Sequence, residues 1–334
     1  MRIVLAIAAT AIIGWCGWWY LGATAQETAL KAWLDGRKEA GWLAEYDTVA
    51  VAGFPNRIDS SVTELMLADP QSGWAWSAPL FQVLMLSYKP NHVIAVWPGA
   101  QKISTPYDTV TITSEQMRGS VVFVPDTALT LDRVRVELAD VALAGGSWIG
   151  ALESGNIATE RLDPADAPDF AHAIGFEAKG LNLPDLARWV GRDTGILPDH
   201  MERAFFDVVA AFDGPWDRHA IEGEKPRLTV INIKDFEASW GPLNLKAQGK
   251  LDVDAAGYPV GDLQVSARNW RDMLTLATES GIVPRDLAGT LESGLNLLAM
   301  LSGGGADLNV PLSFSGGMTR LGPIPIGRAP KLTP

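Results

Sequence analysis

Thiols are almost missing from this chain, which has one cysteine, Cys16, in 334 residues. A single thiol excludes an intrachain disulfide framework and any metal site built on thiolates. Basic clusters are missing too. The net charge is −12, and no run of Lys and Arg is available to track a phosphate backbone, so nucleic acid is not an expected partner. The acidic balance is that of a soluble surface. The four histidines, His92, His172, His200 and His219, are scattered and share no ligand spacing. Tyrosine is scarce beside tryptophan, five against thirteen, and we read the indoles as fillers of core and interface.

Catalytic signatures are lacking as well. Gly146-Ser147-Trp148 is the nearest approach to a nucleophile elbow and has no closing glycine at the required spacing. No HExxH, P-loop or GxGxxG occurs. Asp252, Asp254 and Gly257 share some features of a calcium loop, but Ala256 stands where an oxygen ligand is needed and no glutamate closes the loop, so the stretch reads as a hairpin. Asp213, Asp217 and His219 are the one tight acid–histidine group, set in a loop rich in Gly, Pro and Trp. A general base needs geometry, and spacing alone supplies none. No catalytic, cofactor or metal residue is therefore assigned, and no cofactor is expected.

What the chain has in abundance is alternation. Leu243, Leu245, Ala247, Gly249, Leu251 and Val253 fall on one side; Asn244, Lys246, Gln248, Lys250, Asp252 and Asp254 fall on the other. A period of two belongs to an extended strand with one dry and one wet face. After a turn at 254–259, Leu263, Val265 and Ala267 resume it. Shorter alternating runs recur over residues 49–67, 110–112, 121–124, 129–143 and 174–178, and again at Leu308, Val310, Leu312 and Phe314, while 73–88 and 93–97 are more continuously apolar, as buried strands are. Helices are expected at 26–40, 183–191, 200–212, 270–279 (with Asn269 as N-cap) and from Pro284 to the glycines at 303–305. Pro311 has no N–H, which places the last strand at or near an edge. The Pro- and Gly-rich run 321–330 reads as an extended, polyproline-like tail that lies against the sheet as a cover or docks elsewhere.

Residues 3–25 carry no charge. At about 1.5 Å per residue they suffice to cross a hydrocarbon core of about 30 Å. Trp15, Trp18, Trp19 and Tyr20 gather toward the far end, where indole and phenol rings favour the headgroup level. Ala23-Thr24-Ala25 also matches a signal-cleavage site, so anchor and cleaved signal both stand, the anchor fitting the length and the aromatics better. Arg2 points to an N-in, C-out topology.

The expected fold is α+β and mainly antiparallel β, a large curved sheet or sandwich with a few packed helices and an N-terminal transmembrane helix. Residues 1–25 form the anchor or signal peptide. Residues 26–334 form one large β-rich periplasmic domain, with a division into two sub-lobes near 163–169 as the alternative.

Several segments together resemble a bacterial envelope family described as a domain of unknown function and found chiefly in alphaproteobacteria. They are Gly53-Phe54-Pro55, the 74–79 segment Trp-Ala-Trp-Ser-Ala-Pro, the 87–92 segment Ser-Tyr-Lys-Pro-Asn-His, the 267–270 segment Ala-Arg-Asn-Trp and Leu321-Gly-Pro-Ile-Pro. The resemblance implies a membrane-attached envelope protein and carries no activity with it. Gly249-Lys-Leu251 and Gly261-Asp-Leu263 also resemble AsmA-like envelope proteins, which implies a greasy groove associated with lipid traffic. A one-sided sheet must cover its apolar face. It does so by packing on itself, or it leaves a groove for an apolar ligand. The expected function is that of a non-enzymatic inner-membrane protein, anchored by residues 3–25 and binding or passing lipid. The alternative is a scaffolding subunit that docks other envelope proteins.

Overall fold

The computed structural model describes residues 1–182, 196–281, 283, 285–301 and 307–333. Strands hold 52% of the chain and helices 21%, so the fold is mostly antiparallel sheet. The expected helix at 183–191 and the glycine stop at 303–305 lie outside the described residues.

Residues cluster into two compact units, Met1–Pro125 with Val136–Ser147, and Asp126–Arg135 with Trp148–Pro334. The loop at 163–169 lies inside the second.

The first unit begins with α1 (Arg2–Glu39) and contains β1 (Leu43–Glu45), β2 (Val49–Ala52), β3 (Arg57–Asp69), β4 (Trp74–Leu86), β5 (Lys89–Val96), β6 (Gln101–Ser104), β7 (Thr109–Thr113) and β8 (Gln116–Phe123). β9 (Leu131–Ala144) contributes its later residues here. β1 and β2 both pair with β3, and β4 pairs with β5 at one end and β6 at the other. The C-terminal half of α1 lays Leu34 on Ala44, Val49, Val62 and Leu65, a small core that Leu30, Trp76 and Phe81 complete. Helix and sheet cover each other's apolar faces. α1 stops where Gly41 takes φ +86°, a conformation glycine adopts freely.

The second unit is a meander: β10 (Ile149–Arg161), β11 (His172–Asn182), β12 (His200–Phe212), β13 (Leu228–Trp240), β14 (Leu243–Val253), β15 (Pro259–Arg268), β16 (Asp307–Ser315), β17 (Met318–Leu321) and β18 (Ile324–Arg328). Each strand pairs antiparallel with the next. Among the described residues three helices interrupt it: α2 (Arg218–Glu222), α3 (Trp270–Glu279) and α4 (Arg285–Leu301).

Four details depart from the sequence reading. The expected helix at 200–212 is strand β12. Its nearly continuous apolar run satisfies both periods; hydrogen bonding to β11 and β13 on its two sides decides for the strand. The Pro- and Gly-rich tail is a hairpin, with Leu321 opposite Ile324 and Gly322 at φ +56° in the turn. β16 is no edge strand, because β15 and β17 flank it. Pro311 fits there because its carbonyl accepts from Gly322 N at 2.7 Å just past the end of the β17 ladder, so the missing N–H faces the side where pairing stops. Asn269 precedes α3 but takes φ +57° and makes no side-chain cap; its amide donates to the Pro242 carbonyl instead. Strands β1, β6 and β10 are additions that the sequence alone did not give.

Candidate functional site

The alternation of β14 is carried in register across the second unit. Ile157, Phe176, Phe206, Phe236, Ala247, Val265 and Val310 are successive cross-strand partners from β10 to β16. Ile174, Val208, Ile233, Gly249, Leu263, Leu312 and Leu321 form the next such row, from β11 to β17. Directly opposed residues share a face, so these two rows put apolar side chains on one side of the sheet. Leu245 and Leu251 lie on that same side, in cores with Leu308 and Leu263 respectively.

The opposite face is charged. Arg203 Nε donates to Glu177 at 2.9 Å and its Nη1 to Glu237 at 2.7 Å, and Asn244 Nδ2 reaches Glu237 at 2.9 Å. The Arg203 hydrogen bond holds the Glu177 carboxyl below its ordinary range, and the Asn244 bond does the same for Glu237. A hydrated charge ladder across three strands is a wet face, worth little stability.

The apolar face is covered in parts. α3 and α4 bring Trp270, Leu295 and Ala299 over Ala267, Leu308 and Val310. Ala329, just after β18, closes on Leu251, Leu263 and Phe314. Over β11 to β13 there is instead a cleft of about 790 Å³. Its floor is Ile174, Phe206, Val208, Ala210, Phe212 and Ile231; Trp216, the segment 223–228 and the C-terminal Leu332 and Thr333 make its walls. That volume lies within the range of small-molecule sites, about 300–1,000 Å³.

Local chemistry builds the walls. Phe176 and Phe206 stack at 5.2 Å, and Trp216 stands edge-on to Phe212 at 5.4 Å. Leu332 is held by its N–H to Gly257 O at 2.8 Å, and Gly257 is required because a Cβ there would meet Thr333 Oγ1 at 2.4 Å. His172 lies next to the floor residues Ala210 and Phe212: it is the strand partner of the first, lies edge-on to the second, and is buried. Burial pushes its pKa down, Arg161 adds to that, and Asp132 opposes it. Burial thus favours the uncharged ring.

The groups weighed for chemistry in the sequence have structural work. Asp217 is the N-cap of α2, accepting from His219 N at 2.8 Å and Ala220 N at 3.1 Å. Asp213 accepts from Arg227 N at 2.7 Å and Arg227 Nε at 3.0 Å, and the two bonds hold its carboxyl low. Asp254 Oδ1 accepts from Ala256 N and Tyr258 N, both at 2.9 Å, in the hairpin turn. The Asp213–His219 group is thus not assembled as an acid–base pair. The cleft residues of β12 were missed because that segment was assigned to a helix. The every-second-residue set Phe206, Val208, Ala210 and Phe212 was the available signal.

No curated protein and no solved structure matches the chain. One family model does match, over residues 18–330. It takes in both units and the end of α1, and it spans segments noted above, from Gly53-Phe54-Pro55 to Leu321-Gly-Pro-Ile-Pro. The chain belongs to the bacterial family described as "Uncharacterized protein conserved in bacteria (DUF2125)".

Proposed function

We propose that this protein is a non-enzymatic, single-pass protein of the bacterial inner membrane. In this reading its β-rich body lies in the periplasm and holds a lipid acyl chain in the cleft over β11 to β13. The observation that carries the reading is the cleft itself, where an uncovered part of the apolar face meets Phe206, Phe212 and Trp216. Burying a chain there removes apolar surface from water at about 25 cal/mol per Å². Lys225, exposed in the wall segment, supplies a cation for an acidic head group.

Anchoring is supported by α1, whose apolar stretch is long enough to cross a membrane and is exposed. Retention of that helix is favoured over cleavage after Ala25. Ala23 is buried against the folded unit, Trp15 and Trp19 hydrogen-bond to it, and the family match begins at residue 18.

The test is photo-crosslinking of the full-length protein in membranes that contain a diazirine-bearing fatty acyl lipid, mapped by peptide mass spectrometry. Labels are expected on Phe206, Val208, Phe212 or Trp216. Ala210→Phe, which fills the cleft, should abolish them, and Val209→Phe, on the other face of the same strand, should leave them. Labels confined to residues 3–25 would overturn the lipid reading and favour docking of other envelope proteins.

A further inference from the structure

Trp15 and Trp19 are one helical turn apart on α1, so their indoles lie on one side of the helix. That side meets the turn at residues 53–57. Trp15 Nε1 donates to Pro55 O at 2.9 Å, Trp19 Nε1 donates to Arg57 O at 2.6 Å, and the Trp19 ring stands edge-on to Phe54 at 5.4 Å. The β4–β5 turn is tied to the same place, since Ser87 N and Ser87 Oγ both donate to Asn56 O, at 2.9 and 3.1 Å. Tyr88 and Lys89 follow at its tip. Phe54 is 55% exposed and Tyr88 58%, large aromatic areas to leave in water.

Helical rise fixes the depth of this cluster. From Arg2 to Trp15 is about 20 Å, and to Trp19 about 26 Å, against a hydrocarbon core of about 30 Å. If α1 crosses the bilayer from Arg2, the turn level with Trp15 and Trp19 lies at or inside the far hydrocarbon boundary, and tilting the helix only lowers it further. Water is scarce there, and an indole N–H must find a partner within the protein. The Pro55 and Arg57 carbonyls are those partners. The exposed residues around them have the composition of a membrane interface, with aromatic rings and cations on long stems that reach the head groups. Arg57 is also paired with Asp59 at 2.8 Å.

We propose that residues 53–57, with Tyr88 and Lys89, form a second membrane contact. They are seated at the headgroup–acyl boundary of the leaflet from which α1 emerges, and they set how the first unit stands on the bilayer. This rests on α1 being a membrane span and is independent of the lipid cleft.

The experiment uses the full-length protein in a Cys16→Ser background, with single cysteines introduced by Ile12→Cys, Phe54→Cys, Asn56→Cys, Tyr88→Cys and Tyr107→Cys. Each is labelled with a nitrobenzoxadiazole dye and reconstituted in equimolar phosphatidylcholine–phosphatidylglycerol vesicles. Position 12 lies within the span, and Tyr107, 96% exposed, is the reference for water. Lipids bearing a nitroxide near the head of the acyl chain should quench the dye at 54, 56 and 88 several-fold more than at 107. Asn56→Cys and Tyr88→Cys carry the test if Phe54→Cys disturbs the fold. Position 12, about 15 Å from Arg2 and so near the middle of the core, is read with lipids bearing the nitroxide near the end of the acyl chain. Quenching at 12 by those lipids, with positions 54, 56 and 88 behaving like 107 toward the shallow nitroxide, overturns the second contact and leaves the anchor. No quenching at 12 by the deep nitroxide overturns both.

Discussion

Leu251→Ala tests the one-sided sheet at its centre. Leu251 is 4% exposed and packs on Leu263, Phe314 and Ala329. Its cross-strand partner on β15 is Gly261, which has no side chain to move into the space left behind. The loss therefore belongs in the upper part of the range for such truncations, about 3–5 kcal/mol. For a unit of about 200 residues, each kcal/mol lowers the melting temperature by about 2–4 °C, which gives a drop of about 6–20 °C. Lys250→Ala, one residue earlier, changes a side chain on the wet face and should stay within about 0.5 kcal/mol. Both variants are compared with the parent as full-length protein in lipid nanodiscs, by thermal unfolding followed through indole emission. The buried Trp270 reports on the same unit. A Lys250→Ala shift as large as that of Leu251→Ala, or a Leu251→Ala shift under about 2 °C, would refute the alternation argument.

Gly249→Ala should destabilise by at least about 1–3 kcal/mol, because φ is +147° and the new Cβ would lie 2.4 Å from Asp262 O. Gly175→Ala, with nothing within 4 Å of its Cβ, should be neutral or stabilise by up to about 1 kcal/mol; urea unfolding separates the two. His172 has its pKa held low in the fold, so its contribution is fully present above the unfolded value of about 6.5 and is lost as pH falls through the folded one. Stability measured in urea from pH 7 downward should fall more steeply for the parent than for His172→Gln, and parallel curves would show that the ring does not contribute. Asp217→Ala removes the α2 cap and should lower stability by about 1 kcal/mol, while leaving lipid crosslinking at Phe206 unchanged. Loss of that crosslinking in a folded variant would return the Asp213–His219 loop to the list of functional groups.

The sequence by itself determined the class of fold and the span-length N-terminal helix, because both are written in local periodicity and length. Alternation from Leu243 to Val253 specifies a strand with one dry face whatever else surrounds it, and 23 uncharged residues at 3–25 specify a span-length helix. Tertiary structure decided everything that depends on which neighbour a residue meets. The run from Phe205 to Phe212 offers a helix stripe (Phe205, Val208, Val209 and Phe212) as well as a strand face (Phe206, Val208, Ala210 and Phe212), and only the ladders to β11 and β13 choose between them. The tail at 321–330 reads as extended and polyproline-like, yet Gly322 and Pro323 make a turn that closes β17 on β18 and leaves Ala329 against Leu251 and Leu263. The cleft has the same origin: strands β11 to β16 bring apolar residues to one face, and only packing determines that helices and tail cover those of β14 to β16 and leave an opening over β11 to β13. Burial is a long-range property of the chain, so the pattern names the dry face while the coordinates alone name what lies against it.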